Sequence, residues 1–331
     1  MRLILAILFL FSISAQGQII NASQPYRPFA VAAQNLLLDD YPNAAAAYSL
    51  RKLRTAYTGS AIRVRRSNDN SEQDIGFTSA GDLDTASLKT FVSANSGFVT
   101  TWYNQGDSTS LDFTQTTAAS QPRIINAGTI DRQNGDPSIF FDGSNDFMDV
   151  ASSTNRFNYL HNGTVGFISS VVRFGTASNP NNAYILLDNK GASANSRGYS
   201  FFYDDRSSVP RNNAYVVTIG NALQNVVNNA VVDIITPNTL NLITQINDPS
   251  NATAANRNIG YVNNGSAIQA NTSTNAANTG DALTNMRLGR LSNATTLPLL
   301  GNVSEIIIWN SNQSSNRTAI QNNINSYYAI Y

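Results

Sequence analysis

The feature that most restricts this chain is a succession of short β-forming runs after Pro137, each closed by Asn, Gly, Ser or Thr. The runs are Ser138–Phe141, Phe147–Val150, Thr164–Phe174, Ala183–Leu187, Tyr199–Tyr203 and Ala214–Ile219. They continue through Val231–Ile235, Leu240–Ile246, Ile259–Val262, Met286–Leu288 and Val303–Trp309. Many short strands with polar turns between them are what a β-sandwich or jelly roll requires. No segment long enough for a helical crossover separates them, which argues against a parallel α/β sheet. Glutamate, a strong helix former, occurs only at Glu72 and Glu305. The expected fold is an all-β sandwich of jelly-roll type with a few short helices, one at the C terminus.

The first half is less uniform. Leu50, Leu53 and Tyr57 recur at helical spacing, so Ala44–Ala56 is expected to form a short helix. Ala61–Arg65 alternates apolar and basic residues, the period of a strand with one buried face. Asp84 is placed to cap a second helix, Thr85–Val92, with Leu88, Phe91 and Val92 on one face. Phe98–Tyr103 reads as a strand. Near the end, Ile320, Ile324, Tyr327 and Tyr328 form one face of an amphipathic helix that starts near Ser315.

Composition narrows the function. Among 331 residues, 21 are Lys or Arg and 21 are Asp or Glu, so no net charge marks a nucleic-acid or anionic-membrane partner. Residues 1–17 read as a signal peptide, with Arg2 ahead of an apolar Leu3–Ile13 and Ala15-Gln-Gly17 before a cut at Gly17–Gln18. That apolar run is too short to span a bilayer, so no membrane insertion is expected and the mature chain is secreted or periplasmic. Residues 18–35, with Pro25 and Pro28, read as an extended lead-in, and 36–331 as one sandwich domain. The chain has no cysteine, which removes disulfides, thiolate metal sites and thiol nucleophiles together.

Two sets of residues resemble known families. Phe140–Phe147, Tyr261–Gly265, Arg287–Arg290 and Gly301–Trp309 resemble segments of laminin-G and concanavalin A-like sandwiches. More specifically, Ala44–Arg66, Ser67-Asn-Asp-Asn70, Gly81-Asp-Leu-Asp84, Trp102-Tyr-Asn-Gln105 and Thr114-Gln115 resemble the catalytic domain of family 54 α-L-arabinofuranosidases. That domain is itself a concanavalin A-like sandwich, so both resemblances imply one architecture over about residues 36–331. The implied activity is retaining hydrolysis of terminal arabinofuranosyl groups on plant polysaccharides.

The chemistry implied by that resemblance is not matched. A retaining glycosidase uses two carboxyl groups about 5–5.5 Å apart. The resemblance implies a nucleophile Glu before Asn-Asn and an acid/base Asp in a Gly-Gly-Asp-Asn turn. Here the Asn-Asn pairs at 212, 228, 263 and 322 follow Arg211, Val227, Val262 and Gln321, and the one at 181 follows Pro180. The corresponding late turn, Gly289–Ala294, has no carboxylate, and the family's adjacent cysteine pair is absent.

Several residues remain as candidates beside plainer readings. Glu305, with Asp204 or Asp205, is the candidate for a relocated catalytic pair; the plainer reading of Glu305 is a carboxylate bonded to Arg or loop backbone. Tyr203, Asp204, Asp205 and Tyr215 are candidate ligand contacts, and Asp188 with Asp204-Asp205 is a candidate oxygen cluster. Asp142 and Asp146 are candidate calcium ligands, calcium being the one cofactor the sequence offers, though a turn bonded to its own backbone is favoured. His161, the only histidine, reads as a loop residue, and Trp102 and Trp309 as core. Arg63, Arg65 and Arg66 read as a face solvated or paired with Asp69, Glu72 and Asp74.

The reading these features favour is a secreted, non-catalytic protein that binds a glycan or cell-surface polysaccharide. The alternatives are an active α-L-arabinofuranosidase-type glycoside hydrolase and an extracellular or phage-associated module with a protein partner. An export signal argues against the virion form of the last, since virions assemble in the cytoplasm.

Overall fold

The computed structural model describes residues 36–175, 182–192, 196–206, 213–220, 225–269, 272–273 and 279–331. The expected signal peptide and lead-in lie outside the described residues. Leu36–Tyr331 form one compact unit. A single turn of helix, α1 (Leu37–Asp40), precedes β1 (Ala44–Ser49), β2 (Ile62–Arg66) and β3 (Glu72–Ile75). Then come α2 (Thr85–Val92), β4 (Gly97–Trp102), β5 (Arg123–Asn126) and β6 (Ile139–Asp142). The second half holds β7 (Gly166–Phe174), β8 (Ala183–Asp188), β9 (Gly198–Asp204), β10 (Ala214–Gly220) and β11 (Asn225–Val231). It closes with β12 (Asn241–Asn247), β13 (Asn258–Val262), β14 (Leu300–Trp309) and α3 (Arg317–Tyr328).

Two antiparallel layers follow from the pairings. One runs β13–β12–β7–β14–β1, with β6 continuing beside the first residues of β14. The other runs from β3–β2–β4 through the short strands Phe113–Thr114, Met148–Val150 and Arg287–Leu288 to β8–β9–β10–β11. The layers join where β4 meets β5 and β5 meets β6. Between them Val64, Val99, Trp102, Phe141, Phe201, Tyr203, Val217 and Ile306 form the main core. A smaller core on the outer face of the first layer packs Phe167, Ile307 and Trp309 against Ile320, Ile324 and Tyr328 of α3. This is the all-β sandwich expected from the sequence, with Trp102 and Trp309 buried as expected.

The expected helix over Ala44–Ala56 is instead strand β1, in register with β14 from Ala44↔Trp309 to Ser49↔Glu305. Its residues are all buried, Ala46 and Tyr48 in the main core and Ala44 and Ala47 in the smaller one. With both faces apolar, the period of two is invisible in the sequence, and pairing outweighs the helix preference of alanine, at most about 1 kcal/mol per residue. The Trp102-Tyr-Asn-Gln105 motif supplies the other edge of β1. Gln105 Nε2 donates to the Ser49 and Arg51 carbonyls at 3.1 and 3.0 Å, and its Oε1 accepts from Leu53 N at 2.9 Å. Asn104 Oδ1 accepts from Ala47 N at 2.7 Å. Gly106 lies against the strand so closely that a Cβ there would come within 2.8 Å of the Ala44 carbonyl.

The other secondary-structure expectations for the first half and the closing helix hold among the described residues, with one correction in the second half. Thr85–Val92 is helical, with Asp84 Oδ1 accepting from Ser87 N at 2.9 Å as the cap. Val231–Ile235 is not a strand: β11 ends at Val231, and Asp233 turns the chain with a φ of 55°. Arg63 pairs with Glu72 and Asp74, and Arg66 with Asp69, so the basic face is neutralised locally.

The turn after β6 is self-contained. Asp142 Oδ1 accepts from Ser144 N at 2.8 Å, and Asp146 Oδ2 accepts from Asp142 N at 2.9 Å. These oxygens are turned onto their own backbone, and no group of three metal-binding side chains occurs among the described residues. Calcium takes six to eight oxygens, and here both carboxylates already accept from backbone N–H groups of the turn. Burial, and then the neighbouring Asp142 charge, raises Asp146 from 3.8 to about 7.

Glu305 is fully buried in β14, where its carboxylate takes Arg51 in a fork at 2.8 and 3.0 Å and Ser49 Oγ at 2.7 Å. Burial pushes the Arg51 guanidinium down, but the charge and hydrogen bonds of Glu305 overcome this and hold it above its ordinary value. Arg51 Nη1 reaches Asn323 of α3 at 3.0 Å. Glu305→Gln therefore leaves a buried cation uncompensated and is expected to cost about 3–5 kcal/mol in urea unfolding, whereas Arg51→Met with Glu305→Leu costs distinctly less. Additive losses in the double variant would refute a coupled pair. For Asp146 the folded chain holds its proton more tightly than the unfolded one. That stability is complete below about pH 4 and disappears as pH rises through about 7. Asp146→Asn should flatten that slope; an unchanged slope would remove Asp146 as its source.

Candidate functional site

The structure disperses the residues singled out in the sequence. Tyr203 and Tyr215 are fully buried. The Tyr203 ring stacks between Phe174 and Tyr184 at centroid distances of 5.1 and 5.9 Å, and the Tyr215 ring lies 5.2 Å from Phe201. Neither ring presents a face to a ligand, because both lie on the inward side of the alternation in β9 and β10. Asp204 is buried and bonded to Arg206, and Asp205 N donates to the Asn182 carbonyl at 2.8 Å. Glu305 is in register with Ser49 and Val171, on a strand that does not adjoin β9. The candidate pair of Glu305 with Asp204 or Asp205 is thus not assembled. His161 is buried with Nε2 at 3.0 Å from the Gly280 carbonyl. Burial lowers its pKa, so it stands as a neutral structural ring.

Asp188 is also separated from Asp204. They occupy opposite ends of the β8–β9 hairpin, Asp188 opposite Ser200 and Ala183 opposite Asp204. At the rise of a strand this is roughly 15 Å. Around Asp188, however, the ends of β8, β9 and β10 build a polar constellation of their own. The register Arg287↔Asp188↔Ser200↔Thr218 forms a polar row across four strands, beside the apolar row Leu288↔Leu187↔Phe201↔Val217.

Asp188 is fully buried. Its Oδ2 accepts from Gly191 N at 3.0 Å, from Ser292 N at 2.9 Å and from Ser292 Oγ, which also receives the Thr284 hydroxyl. Asn189 Oδ1 accepts from Tyr199 N at 2.8 Å. Asn293 Oδ1 accepts from Ala192 N at 2.9 Å, so the Gly289–Ala294 turn is tied to the β8–β9 turn at two points. Lys190 is buried beside Asp188; burial lowers its pKa and the Asp188 carboxylate opposes that fall.

Glycines let these turns pack closely. A Cβ on Gly220, the last residue of β10, would lie 1.9 Å from the Ser196 carbonyl and 3.0 Å from Lys190 Cε. Gly191 adopts a φ of 76°, and a Cβ there would lie 2.5 Å from Asn293 Nδ2. Within this packing three neighbouring buried atoms have no protein hydrogen-bond partner: Asp188 Oδ1, Asn189 Nδ2 and Ser200 Oγ. One is an acceptor, one a donor, and one can be either. Asn189, Lys190 and Ser292 were missed from the sequence because each is an ordinary turn residue there; only the buried Asp188 was noted.

A pocket of about 440 Å³ lies elsewhere, lined by Val231, Ile234, Val262 and Ile268 with Asp233 as its carboxylate. Ser266 and Gln269 add polar groups to its wall, but Asp233 is its single charged side chain, whereas a carboxylate and an ammonium meet at Asp188.

Comparison with known proteins agrees with this architecture. Residues 39–196 match the family model described as alpha-L-arabinofuranosidase B, catalytic, which places the match over β1–β8 and the Asp188 turn. No curated protein matches the chain. Among solved structures, an arabinofuranosidase complexed with arabinofuranosyl-alpha-1,2-xylobiose is 14% identical with a TM-score of 0.58, covering 85% of this chain and 62% of that one. A GH54 α-L-arabinofuranosidase soaked with a cyclic sulfate inhibitor is 14% identical with a TM-score of 0.57 and the same coverage. The chain thus spans about three-fifths of the length of these structures, and at this identity the likeness is one of fold. The protein is a concanavalin A-like β-sandwich with the fold of a family 54 α-L-arabinofuranosidase catalytic domain, and residues 39–196 carry that domain's sequence pattern.

Proposed function

We propose that the chain is a secreted glycan-binding sandwich that holds a sugar at Asp188 without hydrolysing it. The observation that carries this is the set of three neighbouring buried atoms, Asp188 Oδ1, Asn189 Nδ2 and Ser200 Oγ, without protein partners. Vicinal hydroxyls of a sugar ring each donate one hydrogen bond and accept others, which is the complement of such a set. Retaining hydrolysis needs a second carboxyl about 5–5.5 Å from the first. Asp188 is accompanied instead by an ammonium, two hydroxyls and an amide. The two-carboxyl mechanism therefore has only one of its carboxyl groups at Asp188. The fold's arabinofuranosidase kinship points to plant arabinoxylan or arabinan as the first glycans to try.

Isothermal titration of the mature chain with arabinoxylan and arabinan oligosaccharides, alongside turnover of 4-nitrophenyl arabinofuranoside, tests the reading. Binding without turnover is expected. Asp188→Asn and Ser292→Ala should each weaken binding about 10- to 100-fold, the loss expected for one hydrogen bond to a charged group. Turnover that vanishes in Asp188→Asn would make the chain a hydrolase. Silence toward every glycan would favour a protein partner instead.

A further inference from the structure

The Gly289–Ala294 turn is tied to the Asp188 constellation through Ser292 and Asn293, but it also carries a cation that this hydrogen-bond network does not use. Arg290 Cζ lies 4.1 Å from the centroid of the Phe147 ring, and Arg287 Cζ lies 4.0 Å from the same centroid. The two guanidiniums differ in their partners. Arg287 forms a bidentate pair with Asp149 at 2.7 and 2.8 Å and donates to the Leu291 carbonyl at 3.2 Å. Among the described residues Arg290 forms no ion pair or hydrogen bond, and its Nε is buried without a partner. Burial, and then the Arg287 charge, lowers its pKa, yet a guanidinium remains charged at neutral pH.

Ring contact therefore fixes the plane of Arg290 while its two terminal nitrogens stay unengaged by protein. A planar, pre-oriented fork of this kind matches a carboxylate in bidentate fashion, and little side-chain freedom is left to lose on binding. Arg287, its neighbour on the ring, is in register with Asp188, and Ser292, two residues on from Arg290, bonds Asp188, so the cation stands beside the Asp188 constellation. We infer that Arg290 is a carboxylate-recognising subsite that selects acidic glycans, those bearing a uronic acid next to the residue held at Asp188. This rests on the glycan-binding reading and specifies its ligand.

The test compares a glucuronic-acid-bearing xylo-oligosaccharide with the same oligosaccharide after reduction of its carboxyl group, both titrated into the full chain. The acidic form should bind at least 10-fold more tightly. Arg290→Gln should abolish that preference and leave affinity for the reduced form unchanged. Arg290→Lys, which keeps the charge but not the fork, should restore only part of it. Lys89→Gln, which removes an exposed cation on α2, should preserve the full preference. Equal affinities in the unaltered chain, or a preference that survives Arg290→Gln, would overturn the subsite while binding of the reduced form upholds the glycan reading. Failure of both oligosaccharides to bind would overturn the two together.

Discussion

The Arg51–Glu305 pair sits where β1, β7, β14 and α3 converge, and the first layer of the sandwich is assembled around it. Glu305 is opposite Ser49 on one side and Val171 on the other, inside a strand buried along almost its whole length. Val303, Ile306 and Ile308 of β14 face the main core, while Ile307 and Trp309 face the helix-covered one. A charge in such a strand is tolerable only if it is paired and its remaining lone pairs are filled. Arg51, Ser49 and Tyr328 do this from two separate parts of the chain, Tyr328 Oη lying 3.3 Å from Oε2. The fork fixes β14 relative to β1, and the Asn323 contact fixes α3 on top of both. A carboxylate committed in this way is unavailable for acid–base work.

Legibility in the sequence followed exposure. β2, with one face to the core and one to solvent, showed its alternation plainly, as Ile62 and Val64 are buried and Arg63 and Arg65 are half-exposed. α2 and α3 were visible for the same reason, each having a single apolar stripe. β1 was misread because both its faces are buried, and four alanines in a row carry no period that distinguishes strand from helix. Strand β11 was displaced by a few residues because its sequence is rich in asparagine, which hides a strand among turn signals.

For the site, the sequence supplied residue types but not their neighbours. Asp204 and Asp188 look clustered when read along the chain, yet an antiparallel hairpin puts them at opposite ends. Tyr203 and Tyr215 adjoin polar loops in the sequence, but strand alternation turns both inward. What the sequence concealed is the convergence of the β8–β9 turn with the Gly289–Ala294 turn, about 100 positions further on. No spacing rule links Asp188 to Ser292; only the meeting of β8 with the Arg287–Leu288 strand does. A nearby glycine is the one local hint, since Gly191 takes a backbone conformation that favours glycine and packs on Asn293.

The same turn separates what holds its backbone from what its tip presents. Its backbone is held by bonds that any small polar side chain could accept or donate: Ser292 to Asp188 and Asn293 to Ala192. Its shape is therefore independent of what residue 290 carries. Strand register and buried amides such as Gln105 preserve the scaffold, because breaking them leaves unpaired groups in the core. A side chain at the tip of the turn is under no such constraint and can exchange one charge for another at little cost in stability. Phe147 supplies the ring on which a guanidinium in that position can rest. The sandwich thus holds its geometry through strand register and buried amides, while the side chain at the tip of the turn is one that the scaffold does not need.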